Sequence, residues 1–316
     1  MKKFLISIDT EGDNLWNWHE GDAITTECVE YLPRFQELCE KYNFKPTYLT
    51  NWEVMNDRRY VDWVKPLIAH NKCEIGMHLH AWNNPPLYDL PRSNPDAQEY
   101  LIEYNEKAME EKIARITNAI VAEIGVRPIT HRAGRWAMDD RYYRLLAKHG
   151  YVCDCSVTPG IDWSICKGST DGSKGSDYSR YPNDCYKVDC GDYGSILEVP
   201  LTTTKTNRFI APDTITPYDV LRQLKHWAKR DILQFRPTRK NYNEMKETIE
   251  LISNSQSDYL MFMLHSSEFM PGGSPTFTTK QDIEELFKKL DSLFRIVANS
   301  FQGMTIGDYA KEILKA

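Results

Sequence analysis

The chain has 316 residues, of which 41% are hydrophobic and 27% charged, a balance that excludes a largely disordered protein and allows a sizeable core. A formal net charge of −6 argues against the broad basic footprint that nucleic-acid binding needs. No stretch approaches the ~20 apolar residues of a membrane span.

Residues 4–8 form a short apolar run that stops at Asp9, as a buried strand does. The run is also too short for the roughly 7–15 apolar residues of a secretory leader, so a cytoplasmic location is expected. Residues 26–42 have helical periodicity, and 47–50 look extended. Asp57 is placed to cap a helix running to about His70, and residues 74–79 read as a third strand. A long amphipathic helix is expected over 95–124, followed by a short strand at 129–131. Asp139 or Asp140 starts the next helix, which ends at Gly150, and 151–157 form a fifth strand.

From 161 to 195 the composition shifts to Gly, Ser, Asp and Tyr, which marks a long insertion loop of the kind that usually carries function. Residues 196–201 read as a strand, 216–229 and 242–253 as helices, 259–264 as a strongly apolar strand and 279–298 as a helix. A last short strand over 303–306 precedes a closing helix. The basic stretch 225–240 is broken by Trp227, Asp231 and Phe235, so it reads as a solvated helix face and loop rather than a phosphate surface. The eight cysteines include no C-x-x-C pair, which argues against a structural zinc cage. They are expected as free thiols, with a disulfide among Cys166, Cys185 and Cys190 left open.

Alternating strands and helices imply parallel strands with right-handed crossovers. About seven such units in one chain predict a closed or nearly closed (β/α) barrel formed by a single domain over 1–316. The rival is an open doubly wound sheet. A nucleotide-binding version of that sheet wants glycines after its first strand, but here Asp9-Thr-Glu11-Gly-Asp13 follows, which repels phosphate.

Catalytic groups of parallel α/β folds gather at the C-terminal strand ends. Those ends carry Asp9 and Glu11; His78, His80 and Trp82; Arg132, Arg135 and Trp136; Asp154; and His265 with Glu268. On a strand, residues i and i+2 share a face, roughly 6.6–7 Å apart. Two imidazoles so spaced can tilt onto one cation, and a nearby carboxylate makes a His₂–carboxylate set with open positions, the pattern of a catalytic metal site. The second carboxylate is then free to act as a base. Taken singly, each element has an ordinary explanation: Asp-x-Glu as a helix cap, His265 as a hydrogen-bonded core residue, Arg132 as the partner of a buried carboxylate. Their co-occurrence at successive strand ends favours a site.

At these residues the chain resembles the polysaccharide deacetylases with the NodB homology domain, carbohydrate esterase family four. The resemblance spans most of the chain in order: Asp9-Thr-Glu11, Glu74 to His80, His131-Arg132-Ala-Gly-Arg135-Trp136, Asp154 to Pro159, Glu198-Val-Pro200 and Leu264-His265. It implies a distorted barrel and a metal-dependent hydrolase that removes an acetyl group, N-acetyl first, from a sugar or glycan. Asp9 would be the general base and His265 the general acid. Glu11, His78 and His80 would hold a divalent metal, zinc being the first choice. Arg132 would orient Asp9, and Asp154 would tune His265. Arg135, Trp136, Trp82, Trp163 and Glu268 would meet the acetylated substrate. Two departures stand out: Asp-Thr-Glu replaces adjacent aspartates, and the histidines are spaced by two rather than four. Two rival functions share these residues, an amidohydrolase acting on a non-sugar amide and a glycan-binding protein with a decayed site. The sequence gives no information on oligomeric state.

Overall fold

The computed structural model describes residues 1–19, 21–94, 96–206 and 231–315. Its centre is β1 (Lys2–Thr10), which pairs in parallel with β2 (Pro46–Thr50), β10 (Tyr259–His265) and the short β11 (Phe301–Gly303). From β2 the sheet continues in parallel through β3 (Glu74–Leu79), β4 (Thr130–Ala133), β5 (Cys153–Asp154) and β7 (Ser195–Glu198). The antiparallel β6 (Tyr186–Asp189) lies at its edge. This is the expected distorted barrel of seven main parallel strands.

Among the described residues no ladder joins β7 to β10. The chain beyond β7 crosses that gap, running through a two-stranded sheet of β8 (Thr203–Lys205) and β9 (Ile232–Gln234). Phe235 N–H donates to Thr202 O (2.8 Å), Met263 N–H to Phe235 O (3.3 Å) and Met261 N–H to Thr202 Oγ1 (2.8 Å).

Strand alternation separates two apolar regions. Phe4, Ile6, Ile8, Ile75, Met77, Leu260, Phe262 and Leu264 face outward to the helices. Leu5, Leu49, Cys153, Cys155, Leu197, Met261 and Met263 fill the barrel interior. The same period puts Asp9, His78, Arg132 and His265 on the inward side and Asp154 and Glu198 on the outward side.

The helices are α1 (Leu32–Lys41), α2 (Trp52–Met55), α3 (Arg58–Ala69), α4 (Glu106–Ile124), α5 (Asp140–Lys148), α6 (Tyr242–Ser253), α7 (Lys280–Val297) and α8 (Ile306–Lys315). Asp57 and Asp139 cap α3 and α5 as expected, and Gly150 takes φ +83° just past α5.

Several boundaries differ from expectation. The helix expected over 95–124 starts at Glu106, because Asn105 caps it by accepting Ala108 N–H (3.0 Å). The helix expected over 26–42 opens as a 3₁₀ turn, and its α-helical part begins only at Leu32, with Pro33 in the first turn. The strand expected over 151–157 shrinks to two residues, because Ser156 Oγ, not a further ladder, meets Ala133 N–H (2.8 Å). Inside the 161–195 loop β6 forms, and α2 and the β8–β9 pair were not foreseen. The helix expected over 216–229 lies outside the described residues, as does the first part of the basic stretch 225–240. All eight cysteines are free, so no disulfide joins Cys166, Cys185 and Cys190.

Candidate metal centre and active-site cleft

Strand β1 ends by projecting Asp9 inward, with Glu11 one step beyond, and β3 does the same with His78 and then His80. Their atoms meet. His78 Nε2 and His80 Nε2 are 2.9 Å apart, and Glu11 Oε2 lies 3.2 Å from the first and 3.1 Å from the second. All three residues are buried, and their donor atoms form a group able to hold one metal ion.

The donor chemistry fits a divalent cation. His78 Nδ1 lies 3.0 Å from Arg132 O and must donate to it, so the neutral ring turns a bare Nε2 lone pair toward Glu11 and His80. Burial opposes the charge on Glu11, yet His265, His78 and His80 together hold its carboxyl well below the usual range. Burial likewise opposes protonation of His78, but Asp9 and Glu11 outweigh it and raise the ring's pKa. Anionic oxygen and two imidazoles therefore converge at metal-ligand spacing. His80 Nδ1 is buried with no hydrogen-bond partner among the described residues.

Asp9 is 2% exposed, and its Oδ1 accepts from Arg132 Nη1 at 2.6 Å. Arg132 is fully buried and is also fixed by Cys155 O (3.0 Å) and Ser7 Oγ (2.8 Å). Burial works against ionisation of Asp9, but the Arg132 guanidinium prevails and lowers its pKa. His265 completes the ring of groups, its Nε2 3.9 Å from both Asp9 Oδ2 and Glu11 Oε1.

The expected contact between Asp154 and His265 is not made. Asp154 sits on the outward face of β5, where its carboxylate meets His131 Nδ1 (2.6 Å), Ser156 Oγ (2.9 Å) and Ser156 N–H (2.9 Å). Burial, and then the Asp154 charge, raise the pKa of Glu198, its register neighbour on β7, well above the usual carboxyl range. The carboxylate on His265 belongs instead to Glu268, whose Oε2 accepts from His265 Nδ1 (3.1 Å) and His265 N–H (2.9 Å). Glu268 is fully buried and pairs through Oε1 with Arg236 Nη2 (2.9 Å), so it is not an exposed substrate contact. Despite burial, Arg236 and His265 hold its carboxyl down to about 2.

Asp9, Glu11, His78, His80 and His265 line a cleft of about 160 Å³ together with Leu15, Trp16, Trp82, Gln98, Ala133, Arg135 and Trp136. Trp82 stacks on His80 with ring centroids 4.3 Å apart. Trp136 lies over the Arg132 guanidinium at 4.9 Å. Arg135 and Trp136 both adopt positive φ (55° and 63°), a strained pair at the cleft wall. Gly134 before them leaves no room for a side chain, since a Cβ there would lie 2.6 Å from Leu79 O. Arg135 also braces the long loop, donating to Lys167 O (2.9 Å) and to Gln98 O over the Tyr100 ring. Trp163 does not line this cleft; its Nε1 donates to Thr158 Oγ1 (2.7 Å), just before the long loop.

Some contributors have no local signature in the sequence. Trp16 meets His265 edge-on at 5.2 Å and donates to Ser267 Oγ (3.2 Å). Glu53 joins the two ligand-bearing loops by accepting Gly12 N–H (3.1 Å) and Asn83 Nδ2 (2.6 Å). Behind the histidines, the buried Lys112 ammonium donates to Ala81 O (2.9 Å), Asn84 O (2.7 Å) and Pro86 O (2.7 Å), clamping the loop that carries Trp82.

The curled parallel sheet has counterparts among solved structures. A Mycobacterium smegmatis protein provisionally named a polysaccharide deacetylase superposes with TM-score 0.55 at 14% identity, over 100% of this chain and 92% of its own. A Parabacteroides distasonis protein provisionally named a glycoside hydrolase/deacetylase gives 0.62 at 11% identity, over 99% and 71%. The 4-alpha-glucanotransferase of Thermococcus litoralis gives 0.58 at 14% identity, over 99% of this chain but only 41% of its own. No family model and no curated protein matches the sequence. The chain therefore has the α/β half-barrel fold found in polysaccharide deacetylases. That fold also carries a glucanotransferase, so the side chains must decide the chemistry.

Proposed function

We propose that this protein is a metal-dependent hydrolase that removes an acetyl group, N-linked in the first instance, from a sugar or glycan. The observation that carries the proposal is the meeting of Glu11, His78 and His80 in one cleft with the Arg132-bound Asp9 and with His265. Glu11, His78 and His80 would hold the ion, for which zinc is the natural match to two imidazoles and a carboxylate. Such an ion, when bound, polarises a carbonyl and acidifies water.

The rest falls to the chain's own groups. Arg132 occupies Asp9 Oδ1, leaving Oδ2 toward the cleft as the acceptor of a proton from water. Glu268 fixes the His265 ring through Nδ1, so Nε2 faces the cleft and can deliver a proton to the departing amine. Trp16, Trp82 and Trp136 narrow the opening, and aromatic walls favour a sugar ring over a linear amide. The test is metal analysis of the purified protein combined with an acetate-release assay on N-acetylhexosamine glycans. Stoichiometric metal with acetate release is expected; metal-free protein without release overturns the proposal.

A further inference from the structure

Strand β1 pairs with β10 as far as Asp9 opposite His265, and with β2 as far as Thr10 opposite Thr50. Glu11 is the first residue beyond both ladders, so strand pairing does not hold its main-chain N–H and C=O, although the residue is buried. Buried main-chain groups are rarely left unpaired. One side chain meets both. Ser266, the residue after His265, is fully buried, and its hydroxyl accepts from Glu11 N–H (3.0 Å) and donates to Glu11 O (3.0 Å). The buried Cys28 thiol closes the same corner, its Sγ 3.2 Å from Glu11 O and 3.4 Å from Ser266 Oγ. A serine hydroxyl carries one donor and two acceptor lone pairs, which suits this corner. The next two residues of the turn hold other parts of the site: Ser267 takes Trp16 Nε1, and Glu268 takes the His265 ring.

We propose, on the footing of the metal centre above, that Ser266 is a positioning residue that sets where Glu11 presents its carboxylate to the ion. Ser266 touches neither metal nor substrate; it acts through the Glu11 main chain. Past the strand end no ladder fixes that main chain, and two hydrogen bonds to one hydroxyl take the ladder's place. Because Ser266 directly follows His265, the same two bonds tie the metal ligand to the residue that delivers the proton. Those two side chains lie 3.9 Å apart, from Glu11 Oε1 to His265 Nε2.

The experiment measures the zinc Kd of the full chain by competition with a chromophoric chelator, for wild type, Ser266→Ala and Ser156→Ala. Acetate release from an N-acetylhexosamine glycan at saturating zinc is the second reading. Ser156 controls for the mere loss of a buried hydroxyl, since its Oγ accepts from Ala133 N–H (2.8 Å) and donates to the outward-facing Asp154 Oδ1 (2.9 Å). Ser266→Ala should weaken zinc binding by about 10–100-fold, the usual effect of removing a group that orients a metal ligand. At saturating zinc it should lower kcat more than it raises KM. Ser156→Ala should lose stability but bind zinc as the wild type does. Should Ser266→Ala fail to fold, Ser266→Cys, which puts a weak donor and acceptor at the same place, carries the test and should weaken zinc binding. Wild-type zinc affinity in the Ser266 variant, or an equal loss in Ser156→Ala, overturns the positioning role while leaving the metal centre standing. Stoichiometric zinc without acetate release in the wild type, with affinity lost in the Ser266 variant, supports the role and overturns the deacetylase proposal. A wild type that binds no zinc overturns both.

Discussion

His78 Nε2 and His80 Nε2 point at each other across 2.9 Å, with Glu11 Oε2 3.2 Å from the first and 3.1 Å from the second. Adding zinc should therefore stabilise the fold. At a hundredfold excess over Kd the gain is about 2.7 kcal/mol, a rise of several degrees in Tm. Thermal unfolding with and without zinc measures it, and His78→Ala should show no rise. An unchanged wild-type Tm across a zinc titration would count against the centre.

Asp9→Asn should keep the metal and lower kcat by about 10²–10⁴-fold, the usual worth of a placed general base. Metal content by mass spectrometry, alongside turnover, separates it from His78→Ala, which should lose both. Normal turnover in Asp9→Asn would falsify the base assignment. Arg132→Met strands the buried Asp9 charge and should cost about 3–5 kcal/mol in a denaturant melt.

Glu268 and Asp154 should behave oppositely. Glu268→Gln loosens the ring that faces the cleft, so kcat should fall by tenfold or more. Asp154→Asn disturbs only the outward network with His131 and Glu198, so it should cost stability while changing kcat less than tenfold. Steady-state kinetics paired with urea melts of both variants decide it. A large kcat loss confined to Asp154→Asn reverses the roles assigned to the two carboxylates.

The Glu268 carboxyl titrates at about 2 in the folded chain against 4.5 in the open chain. A depressed carboxyl contributes stability above its unfolded pKa and loses it as pH falls through the folded value. About 3 kcal/mol should thus disappear between pH 4.5 and 2. Unfolding free energies measured down that range should fall less steeply in Glu268→Gln than in the wild type. Parallel slopes contradict the assignment.

Lys112 spends its three N–H groups on three carbonyls of the 81–86 loop, and burial pushes its pKa down to about 8, leaving it charged at neutral pH. Lys112→Met leaves those carbonyls unpaired and should cost about 3 kcal/mol. It should also speed hydrogen exchange in the 81–86 loop. Unchanged exchange there would show the clamp to be idle.

Asp9, Glu11, His78 and His80 were legible because a strand's period of two puts each pair on one side, and both pairs sit at the C-terminal ends of parallel strands. The role expected of Asp154 came from the resemblance and runs against the same period. Cys153 and Cys155 face the interior, so Asp154 between them has to face out, away from His265. Glu268 was singled out as a substrate contact; in the structure this i+3 carboxylate on a 3₁₀ turn folds back on its own histidine. The helix expected over 95–124 was too long because apolar spacing carries no stop signal as strong as the Asn105 cap.

By itself the sequence determined the alternation of strands and helices, the strand ends and the residue types gathered there, since these depend on periods and spacings within a few residues. Tertiary structure alone decided that Glu53 and Lys112 brace the ligand loops, and that a second tryptophan-walled cavity adjoins the cleft. Those pairings join residues tens of positions apart. Their geometry follows from barrel curvature and strand register, which no local pattern encodes.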